Sequence, residues 1–463
     1  MFFSMPATQC SRHANPATAT SRGDRSHLTA AGVPMHGHGR SHLSGIPDNS
    51  QISQYRRQRY DRAVPRLLRA LLAIAVVAPG PGCLMTRYLA QATAGELSLL
   101  HRGRPIADVL ADPETDEHTR VLLTEIEPIK KFASRYGLDG QDNYVDYVEL
   151  DAPAVVWFVG AADPLAFKPR VWCFPIAGCF PGLGWFDREA ARHFRDQLLR
   201  DGWDAHMRGA DAFSTGGWFH DPVLSSMLLA PGDDAFAELA DVILHESVHA
   251  TQFLPDQTYF NEGAATFVGD ALTTAWLRER FGPDSPQLTA WLTSEAARIA
   301  RVERLLAAYQ ELEVVYASQL PVADKLRKKA AIIDRTVADL DLVARPNNAS
   351  LIELATYRAG RGVFAELLAA CGGDLRRLVQ AVKSVKASDF TSRLQDNLRP
   401  ALAPAAARCR AAQVSARLSQ HAAISAPSSW SEVASGATST VALDAVAVSR
   451  RIAARRKRSI AAT

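Results

Sequence analysis

Residues 233–281 read DDAFAELADVILHESVHATQFLPDQTYFNEGAATFVGDALTTAWLRERF, and this stretch decides the fold. Apolar residues recur at helical spacing from Phe236 to Leu244, after an aspartate pair suited to cap a helix N-terminus, and no proline or glycine interrupts them. A second helical pattern begins at Phe260, after the loop LPDQTY, and ends at Gly282. The stretch therefore predicts two consecutive helices joined by a short loop.

The first predicted helix carries the pentapeptide HESVH, with His245, Glu246 and His249. Helix positions four apart lie on the same face, so both imidazoles can reach one metal ion. Two histidines at this spacing with a glutamate after the first are typical of zinc hydrolases, in which the glutamate takes a proton from the attacking water. We therefore expect Zn²⁺ as the cofactor and Glu246 as the catalytic base.

Glu262 is the expected third zinc ligand. A catalytic zinc ion needs three protein ligands and one open position, and Glu262 opens the second helix within the sequence NEGAA. The competing interpretation is a salt-bridged surface helix with incidental histidines. The apolar Ile243, Leu244 and Val248 argue against it, because they imply partial burial, where unpaired histidine and glutamate are costly.

The rest of the chain predicts an α+β fold. Residues 88–138 have helical periodicity, whereas short runs rich in Val, Trp, Phe and Tyr between Tyr144 and Trp218 predict a small antiparallel or mixed sheet. Asp187 is a plausible N-cap of a helix that interrupts this sheet. Two long antiparallel helices are expected between Gln287 and Arg345, with the break near Pro321.

The C-terminal part of the chain predicts further helices at 349–385. Beyond about residue 410 the sequence is rich in Ala and Ser, and we expect no fixed structure there.

Composition permits an enzyme and argues against a nucleic-acid partner. The chain has 463 residues, 47% of them hydrophobic, and a formal net charge of +3. The basic excess lies at the ends, in Arg56, Arg57, Arg59 and the cluster at 450–458, so the middle carries no basic stripe of the kind that binds phosphates.

Residues 66–82, RLLRALLAIAVVAPGPG, have the layout of a secretory signal: arginines, an apolar stretch, then small residues before Cys83. The stretch is too short to span a bilayer, which needs about 20 apolar residues. Cys83 also matches the position that is lipidated in bacterial lipoproteins, although Gly80 stands where that motif prefers leucine. We expect export to the bacterial cell envelope, with membrane attachment through Cys83 as one outcome.

About 60 residues precede this signal, and two interpretations of them stay open. Either residues 1–63 are a disordered extension, or translation starts near Val64.

Cys173 and Cys179 are candidates for a disulfide in an oxidising compartment, with buried free cysteines as the alternative. None of the six cysteines lies in a CxxC pair, which argues against a structural zinc ribbon.

Several sequence blocks, in order, resemble the family of bacterial predicted aminopeptidases, which are often secreted or lipoprotein-anchored. The resemblance runs from about Cys83 to Asp374. It includes the blocks YLAQA at 88–92, RPI at 104–106, WCFPIAGCFPGLGWFD at 172–187, FSTGGWFHDPVLSSML at 213–228, HESVH, FNEGAATFV and NNA at 347–349. The resemblance implies a metallopeptidase-like active site, whereas exopeptidase activity rests on the family's name.

The block before the metal helix is the candidate substrate strand. In zinc peptidases of this general fold an edge strand pairs with the substrate backbone, and we expect Ser214, Thr215 and Gly216 to do so here, with a plain core strand as the alternative. Asp221, before a proline, is interpreted as a turn former.

Four further residues near the motif receive candidate roles. Tyr357 is the candidate for stabilising the oxyanion, with Tyr259 as a rival and a structural tyrosine as the alternative. Asn261 is a candidate for contacting substrate, or else it fixes the helix of Glu262. Asp270 is placed to orient a ligand histidine through its second ring nitrogen.

We therefore expect a zincin-like metallopeptidase, with a small sheet packed on the active-site helix pair and a long helical hairpin in the C-terminal half. Its domain spans residues 84–400, between the signal-like segment at 64–83 and a basic, partly disordered tail at 401–463. The expected activity is zinc-dependent hydrolysis of peptides or proteins, as an aminopeptidase. The alternatives are an endopeptidase and a non-catalytic, zinc-containing envelope binding protein.

Overall fold

A computed structural model of the chain describes residues 84–140, 142–174, 178–212, 220–358 and 360–424. These residues form an α+β fold that is mostly helical with small sheets. The helices are α1 (Leu84–Arg102), α2 (Ile106–Ala111), α3 (Glu117–Arg135), α4 (Arg188–Arg200), α5 (Asp234–Thr251), α6 (Thr258–Phe281), α7 (Pro286–Ala317), α8 (Val322–Leu340), α9 (Asn348–Arg358), α10 (Arg361–Ala370), α11 (Leu375–Lys383) and α12 (Arg399–Ile424). The strands are β1 (Arg104–Pro105), β2 (Asp146–Val148), β3 (Val156–Ala162), β4 (Trp172–Phe174), β5 (Gly178–Phe180), β6 (Gly182–Trp185), β7 (Asp204–Ala210) and β8 (Val223–Leu224).

The predicted single sheet is instead divided, within the described residues, into three small ones. In the first, β2 pairs antiparallel with β1 and parallel with β8. In the second, β3 lies between β6 and β7 and is antiparallel to both, and α4 packs on it. As predicted, Asp187 caps α4, accepting a hydrogen bond from Ala190 N at 2.6 Å. The third is the hairpin β4–β5, in which Cys173 and Cys179 face each other.

The two helices predicted from 233–281 are present as α5 and α6, and they pack closely on each other. Every residue of α5 from Leu239 to His249 is buried, as expected for a helix covered on all sides. Gly269 of α6 lies against the backbone of His245, to which a Cβ at this glycine would come within 3.4 Å. This helix pair, packed on α3 and continuous with the main core, positions the candidate site.

The long helical hairpin is also present: α7 and α8 pack through a small core of their own that includes Leu312 and Ile333. Ser285 caps α7, accepting a hydrogen bond from Leu288 N at 3.3 Å. No helix within the described ranges is long and apolar enough to cross a membrane.

Helix α12 continues to Ile424, past residue 410, beyond which no fixed structure was expected, whereas the domain boundary at residue 400 stays a prediction. Alanine is the best helix former, and the burial of Ala401, Ala405 and Cys409 gives this helix a packed face. A disulfide between Cys371 and Cys409, which the sequence did not reveal, joins α12 to the end of α10. Residues 1–83 and 425–463, including Cys83, lie outside the described residues.

Candidate metal centre

The first part of the site is a pair of imidazoles on one face of α5. His245 and His249 are 3% and 2% exposed, and their Nε2 atoms lie 3.2 Å apart. Glu246, between them in sequence, is 1% exposed. The ligand atoms of these three residues lie within 4.8 Å of one another, so the group could hold a metal ion.

Glu262 of α6 approaches the same two imidazoles. Its Oε2 lies 3.7 Å from His245 Nε2, and its Oε1 lies 3.7 Å from His249 Nε2. Ligand atoms in a tetrahedral zinc site, at about 2.0–2.2 Å from the metal, are about 3.3–3.6 Å apart. The separations between Glu262 and the two histidines are close to that geometry.

Burial also prepares the two histidines as ligands. It lowers the pKa of His245 to about 4, against the opposing effect of the Asp270 charge, and it lowers the pKa of His249 to about 4, against Glu262. Both rings are therefore neutral at pH 7, and a neutral imidazole has the free lone pair that a metal needs. The Nδ1 atom of His249 makes no hydrogen bond within the described part of the chain.

The side chain of Asn261, predicted to contact substrate or to fix the helix of Glu262, bonds to the backbone of the α5–α6 loop. Its Oδ1 accepts a hydrogen bond from Leu254 N at 3.0 Å, and its Nδ2 donates to Leu254 O at 2.8 Å. The side chain is 3% exposed. Since both ends of the amide bind the backbone, Asn261 fastens the α5–α6 loop next to Glu262, and its contact with substrate stays a prediction.

Asp256 connects this loop to the β4–β5 hairpin. Its Oδ1 accepts a hydrogen bond from Cys179 N at 2.9 Å, and its own backbone is left-handed, with φ of 62°. The hairpin is closed by a disulfide between Cys173 and Cys179. The disulfide-bonded Cys179 is therefore in direct contact with the loop that positions Glu262.

Asp270 of α6 belongs to a cluster of charged residues that joins α6 to α7 and α10. It forms ion pairs with Arg298 at 3.0 Å and Arg361 at 2.6 Å, and Glu295 contacts both of these arginines. The Asp270 charge acts on the His245 ring by raising its pKa, which makes the ring a more basic ligand. The two arginines, which the sequence analysis did not single out, fix Asp270 in this place.

Tyr144 is a further residue that the sequence analysis missed. It is 3% exposed and has a left-handed backbone with φ of 59°, and its N donates to Asp221 O at 2.7 Å. Burial holds the pKa of its hydroxyl well above the usual value, and the charges of Glu246 and Asp221 act in the same direction. The phenol is therefore a neutral hydrogen-bond donor within electrostatic range of the candidate base. The left-handed backbone at a large aromatic residue is unusual, but it is invisible in the sequence.

The structure describes the side chain of only one of the two tyrosines that the sequence offered as oxyanion partners, Tyr259 and Tyr357. Burial raises the pKa of the Tyr259 hydroxyl, and the Thr356 side chain of α9 acts in the opposite direction. Tyr357 lies in α9, but its side chain falls outside the described part of the structure, as do Ser214, Thr215 and Gly216. Their predicted roles therefore stay predictions.

Comparison with known proteins concerns the part of the chain that contains both helices of the site. No curated protein and no solved structure matches the chain. A family model described as "Putative aminopeptidase" matches residues 87–396, which are more than half of the chain and include both helices of the site. The chain therefore belongs to this aminopeptidase family.

Proposed function

We propose that the protein is a zinc-dependent peptidase whose metal is held by His245, His249 and Glu262. The observation that carries the proposal is the convergence of their ligand atoms, at 3.2 and 3.7 Å, on a buried helix pair next to Glu246. Two neutral imidazoles and one carboxylate are a ligand set typical of catalytic zinc.

The roles of the residues follow from this ligand set. A zinc ion held by these residues would lower the pKa of a bound water to about 7 and would polarise the scissile carbonyl. Glu246 accepts the proton of the attacking water and passes it to the leaving amine. Asp270 supports His245 as a ligand, and its ion pairs with Arg298 and Arg361 keep it in position.

A zincin-like arrangement is part of the proposal, with the segment 214–216 as the strand that pairs with the substrate backbone. Strand β8 begins at Val223, seven positions after the end of this segment, and belongs to the mixed sheet with β1 and β2. A substrate strand next to this sheet supplies ladder hydrogen bonds without any specific side chain.

Aminopeptidase activity is the proposed specificity, supported by family membership. The first alternative is an endopeptidase with the same mechanism. The second is a non-catalytic envelope protein in which the zinc serves structure, as in closed structural sites.

The proposed location is an oxidising compartment of the bacterial cell envelope. Two disulfides, Cys173–Cys179 and Cys371–Cys409, support it, since such bonds persist outside the reducing cytosol. Lipid attachment at Cys83 is proposed on sequence grounds alone. Mass spectrometry of the protein purified from membranes tests it, and an unmodified thiol on the intact residue excludes it.

One experiment tests the proposed function. Wild-type protein and the Glu246→Gln variant are compared for metal content and for hydrolysis of a peptide library, with and without a chelator. We expect about one zinc per chain in both proteins, hydrolysis only by wild type, and loss of hydrolysis with the chelator. A wild-type protein that holds zinc but hydrolyses nothing supports the binding-protein alternative. Hydrolysis that persists in Glu246→Gln overturns the role of the glutamate.

A further inference from the structure

The disulfide of the β4–β5 hairpin has one exposed and one buried partner. Cys173 is exposed, whereas Cys179 is only 6% exposed. Both partners of the other disulfide, Cys371 and Cys409, are buried. Exchange with a thiol requires access to a sulfur atom of the bond, so a reductant reaches the hairpin disulfide more readily than the disulfide between α10 and α12.

A positive charge lies beside the buried partner. Arg393 Nη1 is 3.9 Å from Cys179 Sγ. When a thiolate attacks the exposed Cys173, the Cys179 thiolate is the leaving group, and a nearby guanidinium stabilises that anion. A leaving thiolate that is better stabilised departs faster. Exposure and charge therefore favour the same direction of attack.

The hairpin depends on this disulfide because its own sheet is small. Three residues of Trp172–Phe174 pair with three of Gly178–Phe180, and the structure pairs these two strands with no other strand that it describes. An isolated two-stranded hairpin is marginally stable in water. Breaking the disulfide therefore removes a main constraint on the position of the backbone N of Cys179.

Asp256 connects that backbone N to the loop between α5 and α6. Its Oδ1 accepts the hydrogen bond of Cys179 N at 2.9 Å, and its Oδ2 lies 3.4 Å from Arg393 Nε. Helix α6 begins two residues later, at Thr258, and carries Glu262 near its start. The hairpin is thus bonded directly to the loop that positions the proposed third zinc ligand.

The other side of this loop is held by the segment before α12. Asp256 O accepts a hydrogen bond from Leu394 N at 2.7 Å, and Gln257 Nε2 donates to Ser392 O at 2.8 Å. These bonds do not involve the hairpin. Opening the disulfide therefore loosens the loop on one side and leaves the helix pair folded.

We propose that the Cys173–Cys179 disulfide is a site of exchange with a dithiol reductant, and that its reduction weakens zinc binding through Asp256. This inference rests on the proposed function, because the group it regulates is the proposed metal ligand Glu262. With the disulfide closed, the hairpin holds Asp256 and the loop before Glu262. With the disulfide open, Glu262 is held less firmly and the affinity for zinc falls.

Reduction proceeds in two exchange steps. A thiolate of the dithiol attacks Cys173 Sγ, the bond between the two cysteines breaks, and Cys179 Sγ leaves as a thiolate. The second thiol of the reductant then displaces Cys173 from the mixed disulfide, and the reductant leaves as its own disulfide. Two electrons pass from the dithiol to the protein, and the two protons of the dithiol end on the two cysteine thiols.

The first measurement follows this exchange in the full-length protein, with dithiothreitol as the dithiol. Samples are quenched with iodoacetamide at intervals, and mass spectrometry locates the alkylated cysteines. We expect Cys173 and Cys179 to become alkylated at least about tenfold faster than Cys371 and Cys409. Equal rates for the two disulfides overturn the exchange site.

The second measurement is zinc affinity, by competition with a chromophoric chelator and without reductant. The open-hairpin variant, which carries Cys173→Ser and Cys179→Ser, should bind zinc about tenfold more weakly than wild type. The matched control carries Cys371→Ser and Cys409→Ser and should keep the affinity of wild type. Unchanged affinity in the open-hairpin variant, or an equal loss in both variants, overturns the regulation of the site.

Two substitutions of Asp256 test the route through the loop. Asn and Gly both suit the left-handed backbone at this position, where φ is 62°. Asp256→Asn keeps an oxygen that accepts from Cys179 N and should bind zinc as wild type does, whereas Asp256→Gly should bind about tenfold more weakly. Added to the open-hairpin variant, Asp256→Gly should cause no further loss. Losses that add overturn the route through Asp256.

The Asp256 pair also decides if a serine variant does not fold, as judged by circular dichroism. The outcome is separable from that of the peptidase. If wild type cleaves peptides and the open-hairpin variant binds zinc equally well, the redox site fails and the peptidase stands. If wild type holds zinc but cleaves no peptide, and the open-hairpin variant binds zinc more weakly, the peptidase fails and the redox site stands.

Discussion

Glu262 Oε1 lies 3.7 Å from His249 Nε2, across the interface between α5 and α6. The contact joins two helices whose relative position depends on the loop between them. Leu254 and Asn261 close that loop with two hydrogen bonds, at 3.0 and 2.8 Å. The proposed third ligand is therefore positioned by the packing of a helix pair and not by a mobile segment.

Substituting Glu262→Gln should lower zinc affinity. The amide keeps the size of the side chain but removes the charge that a zinc ligand needs, so we expect a loss at least as large as the 10- to 100-fold typical of outer-shell changes. Competition with a chromophoric chelator measures it. Glu279→Gln is the control, because this half-exposed residue of the same helix pairs with Arg135 instead. Unchanged affinity in Glu262→Gln removes Glu262 from the ligand set.

Asp270→Asn should weaken zinc binding by about 10- to 100-fold without removing a ligand. The reason is that the Asp270 charge makes His245 more basic. Glu295→Gln is a matched control, since Glu295 contacts Arg298 and Arg361 in the same cluster. Competition with the same chelator measures the zinc affinity of both variants. Equal losses in both variants indicate that the cluster acts only through folding.

The helix pair and the pentapeptide could be predicted from the sequence because both depend on local sequence patterns. Helical periodicity and a spacing of four residues between His245 and His249 need no knowledge of the rest of the chain. The hairpin α7–α8 was predicted for the same reason. Glu262 lies only 13 positions after His249, on the next helix, so a short loop sufficed to predict its approach.

The position of Tyr144 could not be predicted in this way. Tyr144 comes from the loop before β2 and its N donates to Asp221 O, in the segment before β8, so only tertiary packing brings the two residues together. Asn261 also needed the structure: its place beside the motif fitted both a substrate contact and a structural role, and its amide bonds to the backbone of Leu254. The helix α12 was missed because an Ala-rich sequence fits both a helix and a tail.

The two disulfides should contribute differently to stability. Cys371 and Cys409 are 38 residues apart, whereas Cys173 and Cys179 are six apart. Loop-closure entropy predicts that replacing the long-range pair by serines costs about 4 kcal/mol of unfolding free energy, against about 2 kcal/mol for the short one. Urea unfolding of the two double variants measures the difference. A larger loss from the Cys173–Cys179 variant contradicts the entropic account and implies that the hairpin supports the site through Asp256.

Glu353 should make stability depend on acid pH. Burial alone raises the pKa of this carboxyl, but Arg208 and His206 outweigh it and lower the pKa to about 2 from the ordinary 4.5. Because the folded-state pKa is depressed, the stabilisation is complete above about pH 4.5 and is lost as the pH falls towards 2. Wild type should therefore lose more melting temperature than Glu353→Gln between pH 5 and about pH 2. If the melting temperatures of wild type and Glu353→Gln fall by the same amount over this pH range, the prediction is contradicted.

Comparing Tyr144→Phe with Tyr357→Phe tests which of the two tyrosines stabilises the oxyanion. Tyr144 is buried, its hydroxyl stays protonated, and the Glu246 charge acts on it, so we expect it to donate to the developing oxyanion. Removing one such donor typically lowers kcat by about 10²- to 10³-fold. Tyr144→Phe should therefore lower kcat strongly, with KM and zinc content nearly unchanged, whereas Tyr357→Phe should have little effect. The reverse pattern restores the assignment made from sequence, and a loss of zinc in Tyr144→Phe shows that this tyrosine supports the metal ligands instead.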